Sequence, residues 1–258
     1  MTEIVAGEYV TNESSKNSNG GTEQMARRML SIDGSLLKPF QIIHSRVRKL
    51  EPGLKRILVC HDLAEDPEVA NLADPEYRKI FDKLVFVSHW QQQQYKTVLG
   101  VPFSEGVVIR NAIEPFDTRD TTQMFEGTIQ CVYHTTPHRG LQILVPVFDA
   151  LANEFDIHLH VFSSFGVYGW QHRDQPYQQL FDQIKQHDKM TYYGAVTNQV
   201  VRDHLSLMDL FLYPSIWQET SCLAMIEAMA AGVMPIHSSL GALPETTGAG
   251  DSVMYGYH

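Results

Sequence analysis

Two carboxylates, Glu219 and Glu227, stand eight residues apart in a stretch that carries no other charge, IWQETSCLAMIEAMAAGVMPI, residues 216–236. A carboxylate buried without a partner destabilises a fold by several kcal/mol, and this stretch contains no Lys or Arg. Ligand hydroxyls are one class of partner that would satisfy both side chains. The alternative is structural: Glu227 would face a gap open to solvent, and Glu219 would be an acid favoured near a helix N-terminus.

The residues around the two glutamates predict a strand, a loop and a helix. DLFLYPS, residues 209–215, is typical of a buried strand, which we expect to end at Pro214. A helix is predicted over SCLAMIEAMAA, residues 221–231, with Gly232 as its terminator. Because nearly every side of this helix is apolar or small, we expect it to be buried on both sides. Glu219 then lies in the loop before the helix and Glu227 inside it.

Strand-like and helix-like segments alternate along most of the chain. Apolar and β-branched runs such as EIVAGEYV, KRILVCHDL and KLVFVSHW are predicted strands, separated by segments that can be helical, such as residues 22–30 and 89–99. The alternation begins again with TIQCVYHT after residue 125 and continues to VMPIHSS. This pattern is typical of βαβ units and a mostly parallel sheet, with ligands bound outside the carboxyl ends of the strands.

We therefore expect an α/β fold of two Rossmann-like domains that face one another across a cleft, each a parallel sheet flanked by helices. The predicted N-terminal domain is residues 1–113 and the predicted C-terminal domain is residues 114–258. A polar segment without clear period, residues 113–127, is expected to connect them.

Composition restricts the partners and the compartment. The 258 residues are 43% hydrophobic and 19% charged, with a net charge of −10, so there is no basic excess to bind nucleic acid or an anionic membrane. Cys60, Cys131 and Cys222 are far apart and lack metal-ligand spacing, which favours reduced thiols in a cytoplasmic protein. The N-terminus does not resemble a signal peptide, and no run is long and apolar enough for an integral membrane segment.

Several enzyme classes lack their motifs in this chain. The P-loop G-x-x-x-x-G-K-[ST], the serine hydrolase G-x-S-x-G, the dinucleotide-binding G-x-G-x-x-G and the metalloprotease H-E-x-x-H are all absent. The metal-chelating triplet D-x-D is also absent. A metal-independent reaction is therefore favoured, and no metal ligand is predicted. His158 and His160 alternate along a predicted strand, and we interpret this pair as structural.

Six short motifs, in order, resemble the retaining nucleotide-sugar glycosyltransferases of the GT-B fold, the family 4-like or group 1 enzymes. They are Gly20-Gly21-Thr22-Glu23, Val59-Cys60-His61-Asp62, Phe86-Val87-Ser88 with Val108-Ile109-Arg110-Asn111-Ala112-Ile113, Arg139-Gly140-Leu141, Tyr193-Gly194-Ala195-Val196, and the segment from Glu219 to Gly232. Together they extend over nearly the whole chain, as in a compact or truncated member of the family.

The resemblance implies a nucleotide-sugar substrate, a UDP-, GDP- or ADP-sugar, and no separate cofactor. It gives catalytic roles to Arg139, which would stabilise the leaving diphosphate, and to Glu219 and His61, which would contact the donor sugar. Residues with an implied role in donor binding are Gly20, Gly21, His134, Val196, Ser221, Cys222, Leu223 and Glu227. Among these, Glu227 would accept hydrogen bonds from the ribose hydroxyls, backbone N–H groups at 221–223 would meet the diphosphate, and Val196 would lie near the base.

The chain departs from this family pattern at several positions. Arg139 stands where the family usually has lysine, and His134 stands where it usually has arginine, which replaces a cation by a mostly neutral group. The chain is also shorter than family members commonly are, and the acceptor (a sugar, glycan, lipid or protein) is not predicted. Four residues of the first loop could line the acceptor side: Tyr9, Asn12, Lys16 and Asn19.

Other interpretations remain open at this point. His61 could be a satisfied histidine at a strand end, Arg139 a solvated arginine at a helix start, and Gly20-Gly21 a simple turn. The whole protein could be a non-catalytic module that binds a sugar nucleotide or a partner. It could also be a nucleotide-sugar epimerase of related fold.

Overall fold

The computed structural model describes residues 20–29, 32, 34–117, 125–248, 250 and 252–257. The predicted first strand, EIVAGEYV, and the four candidate acceptor-side residues Tyr9, Asn12, Lys16 and Asn19 lie outside the described residues. The chain packs as two units, Met1–Ala112 and Ile113–His258.

Within its described residues, the first unit contains a parallel sheet of four strands in chain order. The strands are β1 (Phe40–His44), β2 (Lys55–Cys60), β3 (Lys83–Phe86) and β4 (Gly106–Val108). The helices are α1 (Gly21–Met29), α2 (Gly34–Leu37), α3 (Pro75–Arg78) and α4 (His89–Leu99), with 3₁₀ turns at Pro67–Ala73 and Phe103–Glu105. Their alternation confirms the predicted βαβ character of this half.

Helix α4 has the predicted bounds, and its ends show why. Ser88 caps the N-terminus by accepting a hydrogen bond from the backbone N–H of Gln91. Gly100 ends the helix in the left-handed conformation, at φ +68°, and its N–H bonds the carbonyl of Lys96. Both caps are local signals, so the sequence is sufficient to predict this element.

The second unit is built, over the residues that the structure describes, on a six-stranded parallel sheet in the order β10-β9-β8-β5-β6-β7. Its strands are β5 (Ile129–Tyr133), β6 (Ile157–Val161), β7 (Met190–Tyr192), β8 (Leu210–Tyr213), β9 (Met234–Ser238) and β10 (Val253–Tyr255). Its helices are α5 (Leu141–Ala152), α6 (Gln178–Gln186), α7 (Asn198–Leu205), α8 (Leu223–Ala230) and α9 (Leu243–Thr247), with 3₁₀ turns at Pro137–Arg139, Phe165–Tyr168 and Gln171–Tyr177. The parallel α/β architecture is as predicted.

Two details of the second unit differ from the prediction. Helix α8 begins at Leu223 rather than at Ser221, because the backbone of Cys222 is extended, at φ −163° and ψ 92°, and forms the N-cap. Gly232 follows the helix in the left-handed conformation, as expected of its terminator. Strand β10 was not predicted; it is three residues long and all three are exposed, so no buried pattern indicates it.

The order of the strands reverses between β5 and β8. From β5 the chain adds β6 and β7 on one side, whereas β8 is followed by β9 and β10 on the other side. Such a reversal separates the loops that leave the carboxyl ends of the two central strands, and ligands of open α/β sheets bind there. The residues that follow β5 and β8 include Arg139 and Glu219, which therefore belong to the same edge of the sheet.

Candidate functional site

The carboxylate of Glu219 is held by two donors. Nη1 of Arg139 lies 2.5 Å from its Oε1, and the hydroxyl of Tyr213 donates a hydrogen bond to the same oxygen. Glu219 is only 6% exposed, and its other oxygen, Oε2, accepts no hydrogen bond from the part of the chain that the structure describes. The two partners of Glu219 come from β8 and from the loop that follows β5, 80 residues away in the case of Arg139.

The charges in this group reinforce one another. Burial by itself would lower the pKa of Arg139, but the carboxylate of Glu219 raises that pKa well above the ordinary value. Burial, followed by the charge of Glu219, raises the pKa of the Tyr213 hydroxyl well above its ordinary value. Arg139 is therefore a cation and Tyr213 an uncharged donor throughout the physiological pH range. The interpretation of Arg139 as a solvated arginine is wrong.

Two glycines allow the loops to approach this closely. Gly140 has φ +122°, and a Cβ on it would lie 2.0 Å from the carbonyl oxygen of Pro214. Gly241 has φ +64°, and a Cβ on it would lie 2.6 Å from the backbone nitrogen of Glu219. The carbonyl of Glu219 also accepts a hydrogen bond from the N–H of Ala242, at 2.7 Å. The position of Glu219 thus depends on backbone contacts from the loops after β5 and β9.

We expect Gly140→Ala to lower the free energy of unfolding by at least about 2 kcal/mol, because the new methyl group would clash with a backbone carbonyl that cannot rotate away. Gly169→Ala is the matched control, since Gly169 has φ +74° but an open space around its Cβ position; it should lower stability by only about 1 kcal/mol. Denaturant unfolding of both variants measures the difference. Equal losses would show that the contact with Pro214 is not needed.

The backbone between Glu219 and helix α8 carries the three residues predicted to meet a diphosphate. Ser221 and Cys222 are buried and Leu223 is half-buried. Burial is the main cause that raises the pKa of the Cys222 thiol, the charge of Glu219 raises it further, and Arg139 lowers it. The thiol is therefore protonated and lies close to both members of the ion pair.

Glu227 is buried inside α8, with 3% of its surface exposed, so the alternative in which it faces a gap open to solvent is wrong. Its Oε2 accepts a hydrogen bond from Nδ2 of Asn198 at 3.0 Å, and Nη1 of Arg202 lies 3.7 Å from its Oε1. Asn198 and Arg202 are four residues apart on α7 and so share a face of that helix. Protein groups from distant parts of the chain therefore satisfy both glutamates at least in part, although no Lys or Arg lies near them in the sequence.

His134 follows β5 directly and is a neutral residue of the site. Its ring packs on Phe211 with the centroids 4.7 Å apart, and its Nε2 is buried without a hydrogen-bond partner among the described residues. Burial lowers the pKa of His134 to about 3, so the ring carries no charge at pH 7. The predicted loss of a cation at this position is more complete than an ordinary histidine pKa would suggest.

The low pKa of His134 makes the free energy of unfolding depend on pH. The unfolded chain binds a proton at His134 below about pH 6.5 whereas the folded chain does so only near pH 3, so the stabilisation present above pH 6.5 is lost as the pH falls towards 3. Between pH 7 and pH 5, we expect the free energy of unfolding to fall about 2 kcal/mol less in His134→Gln than in the wild type. Urea unfolding at both pH values measures this. Parallel pH profiles would contradict the assignment, since the other histidines are unchanged.

Further polar atoms around this loop are buried and unpaired among the described residues. They are Oγ1 of Thr136, Nδ1 of His138, Nε of Arg139 and, after β6, Oγ of Ser163. The ring of His138 stacks on Phe165 and meets Trp217 edge-on, each at 5.1 Å. An unpaired buried polar atom is destabilising by about 1–3 kcal/mol, so these atoms are candidates for hydrogen bonds to water or to a polar ligand.

The glycine turn after β7 is formed as the resemblance suggests. Gly194 has φ +70°, and Val196 is half-buried and packs against the core of the second unit. The neighbouring loop approaches closely, because a Cβ on Gly166 would lie 2.9 Å from the Cβ of Ala195. Nothing in these contacts contradicts a place for Val196 near a base, which stays a prediction.

In the first unit, His61 follows the carboxyl end of β2. Its Nε2 lies 2.9 Å from Nδ1 of His44, the last residue of β1, and the two rings stack at 5.2 Å. Burial lowers the pKa of His61 to about 4 and, with the charge of His61, that of His44 to about 3. Gly20 is buried just before α1, and Gly21 is the first residue of that helix. Their predicted roles towards a donor are untested.

Some candidate residues were missed by sequence analysis. Tyr213, Asn198 and Arg202 contact the predicted glutamates but carry no motif of their own. The polar pair on α7 at a spacing of four residues was the only available signal. Across the described ranges, no group of three or more His, Cys, Asp or Glu side chains is arranged to hold a metal ion. The described helices also include none that is both long and apolar enough to cross a bilayer.

Known structures resemble this chain at low sequence identity. A glycosyltransferase from Rickettsia africae aligns with a TM-score of 0.62 and 17% identity, covering 94% of this chain and 69% of its own. Alr3699/HepE of Anabaena, determined with UDP-glucose, aligns with a TM-score of 0.57 and 17% identity, and the alignment covers 78% of this chain and 58% of HepE. The sucrose-phosphate synthase of Thermosynechococcus elongatus aligns with a TM-score of 0.57 and 17% identity, and the alignment covers 84% of this chain and 60% of the synthase. This chain thus spans 58–69% of their lengths, and the likeness shows the fold alone, GT-B.

The sequence provides the evidence for the family. A comparison with curated proteins gives no match. The family model described as glycosyl transferases group 1, however, matches residues 127–255, which is half of the chain and includes Arg139, Glu219 and Glu227. The chain therefore belongs to the group 1 glycosyl transferases.

Proposed function

We propose that this protein transfers a hexosyl group from a nucleotide-sugar to an acceptor hydroxyl, with retention of anomeric configuration and without a metal ion. The observation that carries the proposal is the group formed by Arg139, Glu219 and Tyr213 at the reversal of strand order in the second unit. A half-buried cation and a buried carboxylate whose Oε2 accepts no hydrogen bond within the described residues suit a ligand that has both phosphates and hydroxyls.

The diphosphate of a nucleotide-sugar needs positive charge and N–H donors. Arg139 provides a guanidinium with several N–H groups, of which Nε is buried and unpaired among the described residues. The backbone at 221–223, at the start of α8, provides N–H groups and the positive end of a helix dipole. These two sources of positive charge support a metal-independent site, together with the absence of D-x-D from the sequence.

In the proposed reaction, the bond between the anomeric carbon and the diphosphate breaks, and the acceptor oxygen bonds to the same face of that carbon. The acceptor proton passes to the departing diphosphate, so no enzymatic nucleophile is required for retention. Negative charge grows on the diphosphate in the transition state, where Arg139 acts most strongly. Glu219 would hold a donor-sugar hydroxyl through Oε2, and Glu227 would hold the ribose.

The nucleotides bound in similar structures suggest which sugar nucleotides to test as donors. Anabaena HepE binds UDP-glucose, and the catalytic domain of Arabidopsis thaliana starch synthase IV binds ADP, so UDP- and ADP-sugars are the first candidates here. GDP-sugars are a third candidate, which rests on the family resemblance of the sequence motifs alone. The acceptor could be a sugar, glycan, lipid or protein. We place the protein in the cytoplasm, since Cys60, Cys131 and Cys222 are buried free thiols.

The test begins with thermal unfolding of the whole chain in the presence of UDP-, ADP- and GDP-glucose and GDP-mannose. A donor at 100 times its Kd should stabilise the protein by about 2.7 kcal/mol. Released nucleotide is then measured with and without EDTA, and the product anomer is determined by NMR. A donor that binds without releasing nucleotide would favour a non-catalytic module, and conversion to another sugar nucleotide would favour an epimerase. Failure of every donor to bind would overturn the proposal.

A further inference from the structure

The two donors to Oε1 of Glu219 differ in kind. Arg139 is a cation on a loop, whereas Tyr213 is an uncharged group on strand β8. The ring of Tyr213 is completely buried, stacks on Phe211 at 5.3 Å and lies 6.2 Å from the ring of Tyr133. Its hydroxyl has little freedom to choose another partner, because the ring is fixed on both sides.

A bound donor would compete with Glu219 for the guanidinium of Arg139. A diphosphate would attract the guanidinium more strongly than one carboxylate does, and its charge would repel Glu219. The bond between Arg139 and Glu219 would then weaken at the moment when Glu219 is needed for the sugar. Tyr213 is not subject to this competition, because an uncharged hydroxyl in the core cannot reach the diphosphate in place of Arg139.

On the basis of the proposed function, we propose that Tyr213 is a positioning residue for recognition of the donor sugar. It holds Oε1 of Glu219 when the diphosphate engages Arg139, and so keeps Oε2 available to a sugar hydroxyl. Tyr213 acts through Glu219 and does not itself touch the donor. It therefore contributes to the binding of the hexosyl group but not to the binding of the nucleotide.

The experiment compares UDP-glucose with UDP, which lacks the sugar, in calorimetric titrations. We expect Tyr213→Phe to weaken the binding of UDP-glucose about ten-fold and that of UDP less than two-fold. Tyr213→Met, which also lacks a donor, should give the same difference if the phenylalanine variant does not fold. Tyr177→Phe is the matched control, because Tyr177 packs beside the same core and its hydroxyl makes no hydrogen bond within the described residues. It should change neither affinity.

A double-mutant cycle with Glu219→Ala, which removes the acceptor oxygen of the Tyr213 hydroxyl, tests whether the effect passes through Glu219. In the alanine background, Tyr213→Phe should no longer change the ratio of the two affinities. Equal weakening of UDP and UDP-glucose, or a ratio that still changes without Glu219, would overturn the positioning role and leave the proposed function intact. If the wild type binds UDP but not UDP-glucose, the cycle is repeated with ADP-glucose, GDP-glucose and GDP-mannose, each compared with its own nucleoside diphosphate. If none of the four sugar nucleotides binds, the proposed function fails, and this inference fails with it.

Discussion

Replacing Arg139 by glutamine lowers kcat for hexosyl transfer by about 10²- to 10³-fold, the usual effect of removing one group that stabilises transition-state charge. The guanidinium forms an ion pair with Glu219 and belongs to the loop that follows β5, where the strand order reverses. Glutamine keeps a hydrogen-bond donor but removes the charge. The rate of nucleotide release at saturating donor measures the loss.

Two control variants separate the charge at this position from charge in general. Arg139→Lys keeps the cation without the planar fork and should stay within about ten-fold of the wild type. Arg173→Gln removes an exposed arginine that stacks over Trp170, and it should leave the rate unchanged. If the glutamine and lysine variants of Arg139 lose activity equally, charge stabilisation is not the role of this residue.

Arg139→Gln also lowers the free energy of unfolding, and this effect must be measured separately from the rate. Removing Arg139 leaves the buried carboxylate of Glu219 with only the Tyr213 hydroxyl, and breaking a buried ion pair on one side typically destabilises by about 3–5 kcal/mol. The side chain of Arg139 is 21% exposed, so we expect a value below that range. Thermal unfolding of each variant establishes the temperature at which the rates are compared.

Local signals in the sequence are enough to predict most of the elements but not their neighbours in space. Helix α4 is predicted with its bounds because Ser88 and Gly100 cap it. The contact between Arg139 and Glu219 depends instead on β5 and β8 lying side by side, an order set by the packing of the whole sheet. No spacing along the chain encodes it, so sequence analysis placed both residues at a site and could not predict that they form a pair.

Burial of single polar groups is also beyond local pattern. His134 is adjacent to a strand in the sequence and in the structure, but its pKa near 3 depends on its burial, to which the ring of Phe211 contributes. Tyr213 reads as one more apolar residue of a buried strand, and only the position of its hydroxyl distinguishes it. The polar geometry of the site thus requires the fold, whereas the residue types at the site do not.

Glu227→Ala should weaken the binding of UDP and of UDP-glucose to the same extent, by about 30-fold, and should change kcat little. The ribose is common to both ligands and is remote from the reacting bond. Loss of the contact between Glu227 and the ribose therefore affects the ground state and the transition state equally. A carboxylate that accepts a hydrogen bond from a ribose hydroxyl contributes about 1.5–3 kcal/mol. Asp203→Ala is the control, since it removes an exposed carboxylate from the neighbouring helix α7.

The contacts of Glu227 with Asn198 and Arg202 make a second explanation possible, in which the variant weakens binding only by disturbing α7 and α8. Comparison of UDP with 2′-deoxy-UDP distinguishes the two. If Glu227 binds the ribose, the wild type should prefer UDP by about ten-fold or more, and Glu227→Ala should bind both compounds equally. If the variant keeps the wild-type preference while both affinities fall, Glu227 is a structural residue and the assignment to ribose is wrong.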